Sequence, residues 1–240
     1  MDLKGKTVLL TGGTAGIGQQ MAHQLRALGA EVIVTGRSAE GLEWMRSIGF
    51  EAIEADLSSP AGAQAILDAI GARDIDVLIN NAGQGVDHDF REGVPDPDAS
   101  DDCIYANLNT PIRLIVGLLD RLKARPEAAI VNVTSGLAIA PRAGSPVYCA
   151  TKAGLRSYTQ ALRAQLAGTK IHVIEALPPV VETKMTASRK GKKMPAAECA
   201  RQIVEAIEKD HSEANVGMVK TLQRVYSVSP ALARKVMLRF

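Results

Sequence analysis

Tyr148 and Lys152 stand four residues apart in Tyr148-Cys149-Ala150-Thr151-Lys152. Positions i and i+4 of a helix share a face, so the lysine ammonium can stand beside the phenol. A free phenol has a pKa of about 10 and exchanges protons poorly at neutral pH, and a nearby cation favours the phenolate. The pair is a candidate acid–base device. Alone it is weak evidence, because Tyr-x-x-x-Lys recurs by chance in many helices. Ser135 follows the apolar run Ala129–Thr134 at a predicted strand end, where a hydroxyl can hold a carbonyl oxygen or simply cap a turn. Asn107 interrupts a long helical stripe, either as a site residue or as a buried, satisfied amide.

The elements around these groups must carry them to one edge. The Tyr148 helix is expected after Pro141–Pro146, with Ala150, Ala153, Leu155, Tyr158, Ala161 and Leu162 as its apolar stripe. At the other end of the chain, Thr7-Val8-Leu9-Leu10-Thr11 reads as a buried parallel strand. Ile17, Met21, Leu25 and Leu28, stopped by Gly29, read as a helix. Between them lies Thr11-Gly12-Gly13-Thr14-Ala15-Gly16-Ile17-Gly18. Glycines there allow a tight turn and let backbone N–H groups approach a pyrophosphate at the helix N-terminus. A second strand, Glu31–Thr35, ends at Gly36-Arg37-Ser38. An acidic residue at that point would accept the ribose 2′-OH of NAD, whereas the guanidinium of Arg37 suits a 2′-phosphate. NADP is therefore favoured over NAD.

Helix Ala39–Ile48, strand Phe50–Ala55, helix Pro60–Ile70 and strand Asp76–Ile79 follow, the strands running into Asp56-Leu57 and Asn80-Asn81-Ala82-Gly83. This alternation predicts an α/β fold with a doubly wound parallel sheet and a ligand outside the strand C-termini. Thr11, Arg37, Asp56 and Asn80–Gly83 all fall there. Residues 84–102 are polar and Pro-rich and read as a surface loop. Within it, Asp87-His88-Asp89 are adjacent and point in different directions, so a solvated loop is expected and no metal site. A helix is expected over Ala99–Ala124, with Leu108, Ile112, Ile115 and Leu119 as its stripe.

The 240 residues suit one domain, and 46% hydrophobic with 22% charged residues is an ordinary globular composition. A net charge of +2 gives no ground for a nucleic-acid or acidic partner. Cys103, Cys149 and Cys199 show no ligand spacing and read as free thiols in a reducing, cytoplasmic setting. Neither a secretory leader nor a membrane-spanning run is expected.

Taken in order, Thr11-Gly12…Gly16-x-Gly18, Asp56, Asn80-Asn81-Ala82-Gly83, Asn107, Ser135, Tyr148-x-x-x-Lys152 and Pro178…Thr183 make the sequence resemble the short-chain dehydrogenase/reductase family across residues 5–220. The resemblance implies one Rossmann-fold domain over residues 1–220, with a seven-stranded parallel sheet of order 3-2-1-4-5-6-7 and helices on both faces. It implies hydride transfer between a nicotinamide and a small carbonyl or alcohol substrate. The implied tetrad is Asn107, Ser135, Tyr148 and Lys152. Ser135 would hold the oxyanion, Tyr148 would supply the proton, Lys152 would lower the phenol pKa and grip the ribose, and Asn107 would position a water. The implied cofactor contacts are Gly12, Thr14, Gly16, Ile17, Gly18, Arg37, Asp56, Leu57, Asn80, Ala82, Gly83, Tyr148, Lys152, Pro178, Val181 and Thr183. A homodimer or homotetramer formed through the helices around Ala99–Ala124 and Pro146–Gly168 is implied as well. Two other readings are an NADP-binding regulator without turnover, which the intact Tyr148 and Lys152 argue against, and a membrane-associated relative with vestigial activity.

The last third departs from the family pattern. Most members carry Pro-Gly where this chain has Pro178-Pro179, and the second proline removes an N–H. In this it resembles a bacterial branch whose members usually lack an assigned substrate. The substrate lid, residues 184–196, is short and carries Arg189, Lys190, Lys192 and Lys193. Blocks of like charge are usually solvated, which is the expectation here; the sharper alternative is recognition of an anionic substrate or of the cofactor phosphates. Residues 221–240 form a tail with Leu222, Val225, Val228, Leu232, Val236, Met237 and Phe240, read as an amphipathic helix pair. Packing against protein is expected over contact with a membrane.

Overall fold

Val8, Leu9 and Leu10 are consecutive, yet none of their side chains reaches solvent. A strand can do that only with both faces covered. In the computed structural model, which describes residues 1–239, this strand lies inside one parallel sheet, between two neighbours. Its members are β1 (Thr7–Leu10), β2 (Glu31–Gly36), β3 (Glu51–Glu54), β4 (Val77–Asn80), β5 (Ala128–Val133), β6 (Ile171–Leu177) and β7 (Glu213–Asn215), in the order β3-β2-β1-β4-β5-β6-β7. The fold class and the strand order are those expected.

The helices are α1 (Gly16–Ala27), α2 (Ala39–Ser47), α3 (Pro60–Ile70), α4 (Pro97–Ile104), α5 (Thr110–Ala124), α6 (Pro146–Gln165), α7 (Ala196–Glu208), α8 (Val219–Val228) and α9 (Pro230–Met237). Side chains alternate across a strand, so each strand feeds two cores. Val8, Leu10, Val32 and Val34 pack with Met21 of α1, Leu42 of α2 and Ile203 of α7. Leu9, Ile33, Leu78 and Ile130 pack with Ile66 of α3, Leu118 of α5 and Leu162 of α6. Each such fully buried aliphatic side chain contributes about 2 kcal/mol relative to exposure.

The helical run expected from Ala99 begins at Pro97, where Asp96 accepts from the Asp98 N–H at 3.0 Å. It is not uniform. Tyr105–Asn109 is a π-helical segment between α4 and α5. The wider turn rotates everything after it, so the buried face of α5 runs through Leu114, Ile115, Leu118 and Leu122. Leu108, Ile112 and Leu119 of the expected stripe are only half-buried. In α6 the inner face is Cys149, Thr151, Lys152, Leu155, Thr159 and Leu162. Ala150, Ala153 and Ala161, expected on that stripe, are exposed.

The tail does form a helix pair, but it starts at Val219, inside the expected domain. Val219 is buried with Ile139 and Leu177, and Leu222 and Tyr226 pack against them. Val228 and Leu232 remain exposed, and Phe240 lies outside the described residues. Among the described residues, no helix is long and apolar enough to cross a membrane.

Candidate active site

A cleft of about 450 Å³ opens at the C-terminal ends of the central strands. It is lined on one side by Gly12, Thr14, Gly16, Ile17, Gly18, Arg37, Asp56, Leu57, Ala82 and Gly83. On the other side stand Ser135, Tyr148, Lys152, Pro178, Val181 and Thr183. A cavity of about 520 Å³, lined by Thr7, Arg26, Phe50 and Arg73, lies at the opposite end of the sheet, away from all of these groups.

The glycine-rich side is built from backbone. Gly12 has φ +66°, and a Cβ there would lie 2.8 Å from Ala82 Cα. Gly16 has φ +56°, and a Cβ there would meet Thr183 Cγ2 at 3.0 Å. The loop after β4 is pinned to the same turn by Thr11, whose Oγ1 accepts from the Asn81 and Ala82 N–H groups at 3.0 Å each. Asn81 Nδ2 donates back to Thr11 O at 2.9 Å. Helix α1 starts behind Ala15, which has no side-chain acceptor, and carries no acidic residue in its first turn. Its first N–H groups therefore remain available to an anion at the positive end of the helix. The pyrophosphate of a dinucleotide fits this cradle. Arg37 follows β2 and donates from Nη1 to Gln84 Oε1 at 3.1 Å across the cleft. Asp56 accepts from the Ser58 N–H at 3.1 Å and closes that end.

The chemical side is built from buried polar side chains. Lys152 is 3% exposed and donates from Nζ to Val133 O at 2.9 Å. It stands 5.7 Å from the Tyr148 ring centre. Burial without a carboxylate partner lowers its pKa to about 8. The surrounding protein pushes the Tyr148 phenol up to about 12, against the downward pull of the Ser135 hydroxyl and the Arg189 charge. The expected lowering of the phenol by Lys152 is thus not found in these side chains: burial raises the phenol, and the groups that pull it down are Ser135 and Arg189, while burial weakens the lysine charge as well. Ser135 accepts from the Leu137 N–H at 3.1 Å, so it caps the 3-10 turn Gly136–Ala138 and keeps its own proton to donate.

Asn80 and Asn107 do not line the cleft. Asn80 Nδ2 donates to Asn132 Oδ1 at 2.9 Å, and Asn132 continues to Thr159 Oγ1 at 2.9 Å. Asn107, in the π-helical segment, accepts from Gln84 N and donates to Gln84 O, both at 2.8 Å, and donates to Thr151 Oγ1 at 3.1 Å. It braces the loop after Gly83 against the residue next to Lys152.

Sequence reasoning missed Glu175. It has no exposed surface, accepts from Thr134 Oγ1 and from Arg156 Nη1 at 2.7 Å each, and so fixes the Ser135 end of β5 to α6. The available signal was a charged residue inside the apolar strand Ile171–Leu177. The lid is also more ordered by contacts than a solvated charge run. Glu182 N donates to Met194 O at 2.8 Å and Met194 N to Val180 O at 2.9 Å, closing its base. Lys193 Nζ donates to Thr186 O at 2.5 Å, and Arg189 faces Asp87. Asp87 is bound as well by Ser145 and Arg142, so the loop expected to be solvated is fixed at that residue.

A family described as short chain dehydrogenase matches residues 6–194 of the chain. An oxidoreductase of Bacillus subtilis named DltE is 39% identical over 198 residues, covering 80% of this chain and 78% of that protein. A serine 3-dehydrogenase of Agrobacterium fabrum is 32% identical over 213 residues, covering 85% and 83%. Among solved structures, a short chain dehydrogenase from Burkholderia cenocepacia in complex with NADP superposes with a TM-score of 0.88 at 25% identity, covering 99% of each chain.

Proposed function

The chain belongs to the short-chain dehydrogenase family and is an NAD(P)-dependent oxidoreductase acting on CH–OH or C=O groups; from that premise we propose that it prefers NADPH and uses Tyr148 as its acid and base. One observation carries this reading. Tyr148, Lys152 and Ser135 share a cleft with the free N-terminus of α1, and the residue after β2 is a cation. When bound, the nicotinamide supplies or accepts a hydride at the substrate carbon. Ser135 donates its free O–H to the substrate oxygen, where negative charge develops on reduction. Tyr148 gives that oxygen its proton. The phenolate left behind is stabilised by Ser135, by the Lys152 ammonium and by the Arg189 charge. Lys152 is held at the edge of β5 by Val133 O, within reach of a ribose in the cleft. Asn107 acts by holding Gln84 and Thr151, which fixes the floor on which Lys152 stands. Arg37 pairs with a 2′-phosphate, exchanging its contact with Gln84 for a charge-assisted one.

The exposed alanines of α6 and Val116 of α5, which is 68% exposed, support self-association through these two helices. Sedimentation of the purified protein as a monomer would refute it.

The test of the catalytic reading is consumption of NADPH or NADH against aldehydes, ketones, quinones and 3-oxoacyl thioesters. Turnover with NADPH ahead of NADH is the expected result. Firm NADPH binding without turnover on any of them would overturn it.

A further inference from the structure

Between the lid and the start of α6, two guanidinium groups converge on one carboxylate oxygen. Arg142 places Nη2 2.7 Å from Asp87 Oδ1, and Arg189 of the lid places its Nη2 3.7 Å from the same oxygen. Ser145, the N-cap of α6, donates to Asp87 and accepts from Arg142. Tyr148 follows within the first turn of that helix. The cluster is therefore mounted on the segment that carries the phenol.

Its charges do not balance. Two cations meet one anion, and Lys190 and Lys192 add exposed positive charge on the same lid. The arginine side chains are 17% and 22% exposed, while Asp87 is 53% exposed. Mostly buried cations are thus facing a counter-ion that water also reaches. Arg142 Nε is buried and has no partner among the described residues, so Asp87 does not satisfy the fork. A planar fork with an unused donor suits a second carboxylate. The Arg189 charge is also felt at Tyr148.

We propose that Arg142 and Arg189 read a carboxylate on the substrate, so that the enzyme prefers small oxo acids and the matching hydroxy acids over neutral carbonyl compounds and alcohols. Asp87 holds the two guanidinium groups in place until the substrate carboxylate joins or displaces it. The proposal rests on the oxidoreductase reading above and names the substrate class of that site.

The test compares a panel of small 2- and 3-hydroxy acids with their methyl esters. Turnover is measured with NADP⁺, and binding to the protein–NADP⁺ complex is measured by calorimetry. The unmodified protein should favour at least one acid over its ester by about tenfold or more, chiefly through KM. Arg189→Met should lower the acid-to-ester ratio by about tenfold to hundredfold, the worth of one charge-assisted hydrogen bond. Arg189 makes no other ion pair among the described residues, which makes this variant the safer one to fold. Asp87→Asn should act in the opposite direction and lower KM for the acid several-fold. Opposite signs cannot arise from a lid that is merely loosened. Equal handling of acid and ester by the unmodified protein overturns the proposal, as does an equal loss for both in Arg189→Met. A rise in the NADPH dissociation constant with the acid-to-ester ratio intact also overturns it and assigns Arg189 to the cofactor phosphates. Absence of turnover on acids and esters alike overturns the proposal where the carbonyl panel above is turned over, and counts against the oxidoreductase reading where that panel is inert as well. Calorimetry then still decides the subsite: acid binding weakened by Arg189→Met upholds it, and acid and ester binding alike, or neither binding, refutes it.

Discussion

From β1 to β4 the wall of the cleft is backbone: glycines at positive φ, an uncapped helix start and a loop tied down by Thr11. From β5 to β6 it is side chains, Ser135, Tyr148 and a lysine 3% exposed, braced from behind by an asparagine and a carboxylate with no exposed surface. The first region recognises by shape and by backbone N–H groups that, proline aside, a substitution leaves in place, but a single added carbon fills it. The second holds charges and amides that burial disfavours and that persist because each is bonded. Errors in the first should therefore weaken binding, and errors in the second should weaken chemistry and change stability.

The sharpest way to break this contrast is Tyr148→Phe. It should lower kcat by about a hundredfold to ten-thousandfold, the usual worth of a positioned acid, while NADPH affinity stays within a few-fold. Activity near that of the unmodified protein would dismiss the phenol from the reaction.

Lys152→Met comes next, because it removes both a ribose contact and a buried charge. Turnover and NADPH affinity should both fall. Stability carries an independent signature. The folded-state pKa of Lys152 is about 8, below the usual 10.5. Between these values the unfolded chain binds the extra proton, so stability rises with pH across that window. The difference in unfolding free energy, unmodified minus Lys152→Met, should climb by a few kcal/mol from pH 8 towards pH 10.5. A flat difference would mean that the ammonium is better solvated than its burial implies.

Gly12→Ala probes the backbone side. Its left-handed φ and the Ala82 contact predict a loss of about 1–2 kcal/mol, with Tm lowered by about 2–8 °C. NADPH affinity should fall by tenfold or so while kcat at saturating NADPH holds. A selective loss of kcat would erase the distinction between the two regions.

The smallest effect belongs to Arg37→Ala, where the contact is exposed. The ratio of NADPH to NADH efficiency should fall by about tenfold, in line with one charge-assisted pair. An unchanged ratio would leave the phosphate to other groups.

How legible all this was from sequence follows from the same contrast. Backbone recognition leaves marks on residue type, because only glycine fits at Gly12 and Gly16, and the strands announce themselves as apolar runs. The cleft lining on that side was accordingly readable. The polar interior was readable where residues stand at a strand end, as Ser135 does, share a helix face, as Tyr148 and Lys152 do, or interrupt an apolar stripe, as Asn107 does. Asn132, Thr151 and Glu175 gave no periodic signal, since a buried polar group is specified by its partner across the sheet and not by its neighbours in the chain. The stripe of α5 was misread because the π-helical segment at Tyr105–Asn109 adds a wider turn that no pattern of apolar residues announces. The alanines of α6 were misread because small residues suit an exposed face as well as a buried one. The lid looked solvated because charge runs usually are; Asp87, about a hundred residues earlier in the chain, is what engages Arg189.

The uncapped start of α1 has a consequence for the life of the protein before it meets any substrate. With Ala15 at the cap position, the amides of Ile17 and Gly18 lack a side-chain acceptor, and in hydrogen exchange of the unliganded protein they should be faster than those of the buried face at Met21, Ala22 and Leu25. A bound pyrophosphate would complete the helix and slow them. Ligand that selects the folded state adds about 2.7 kcal/mol of stability at a hundredfold excess over its dissociation constant. The nucleotide pool would then set the lifetime of the folded chain as well as its rate of turnover, and depletion of that pool would leave the protein easier to unfold at its first helix.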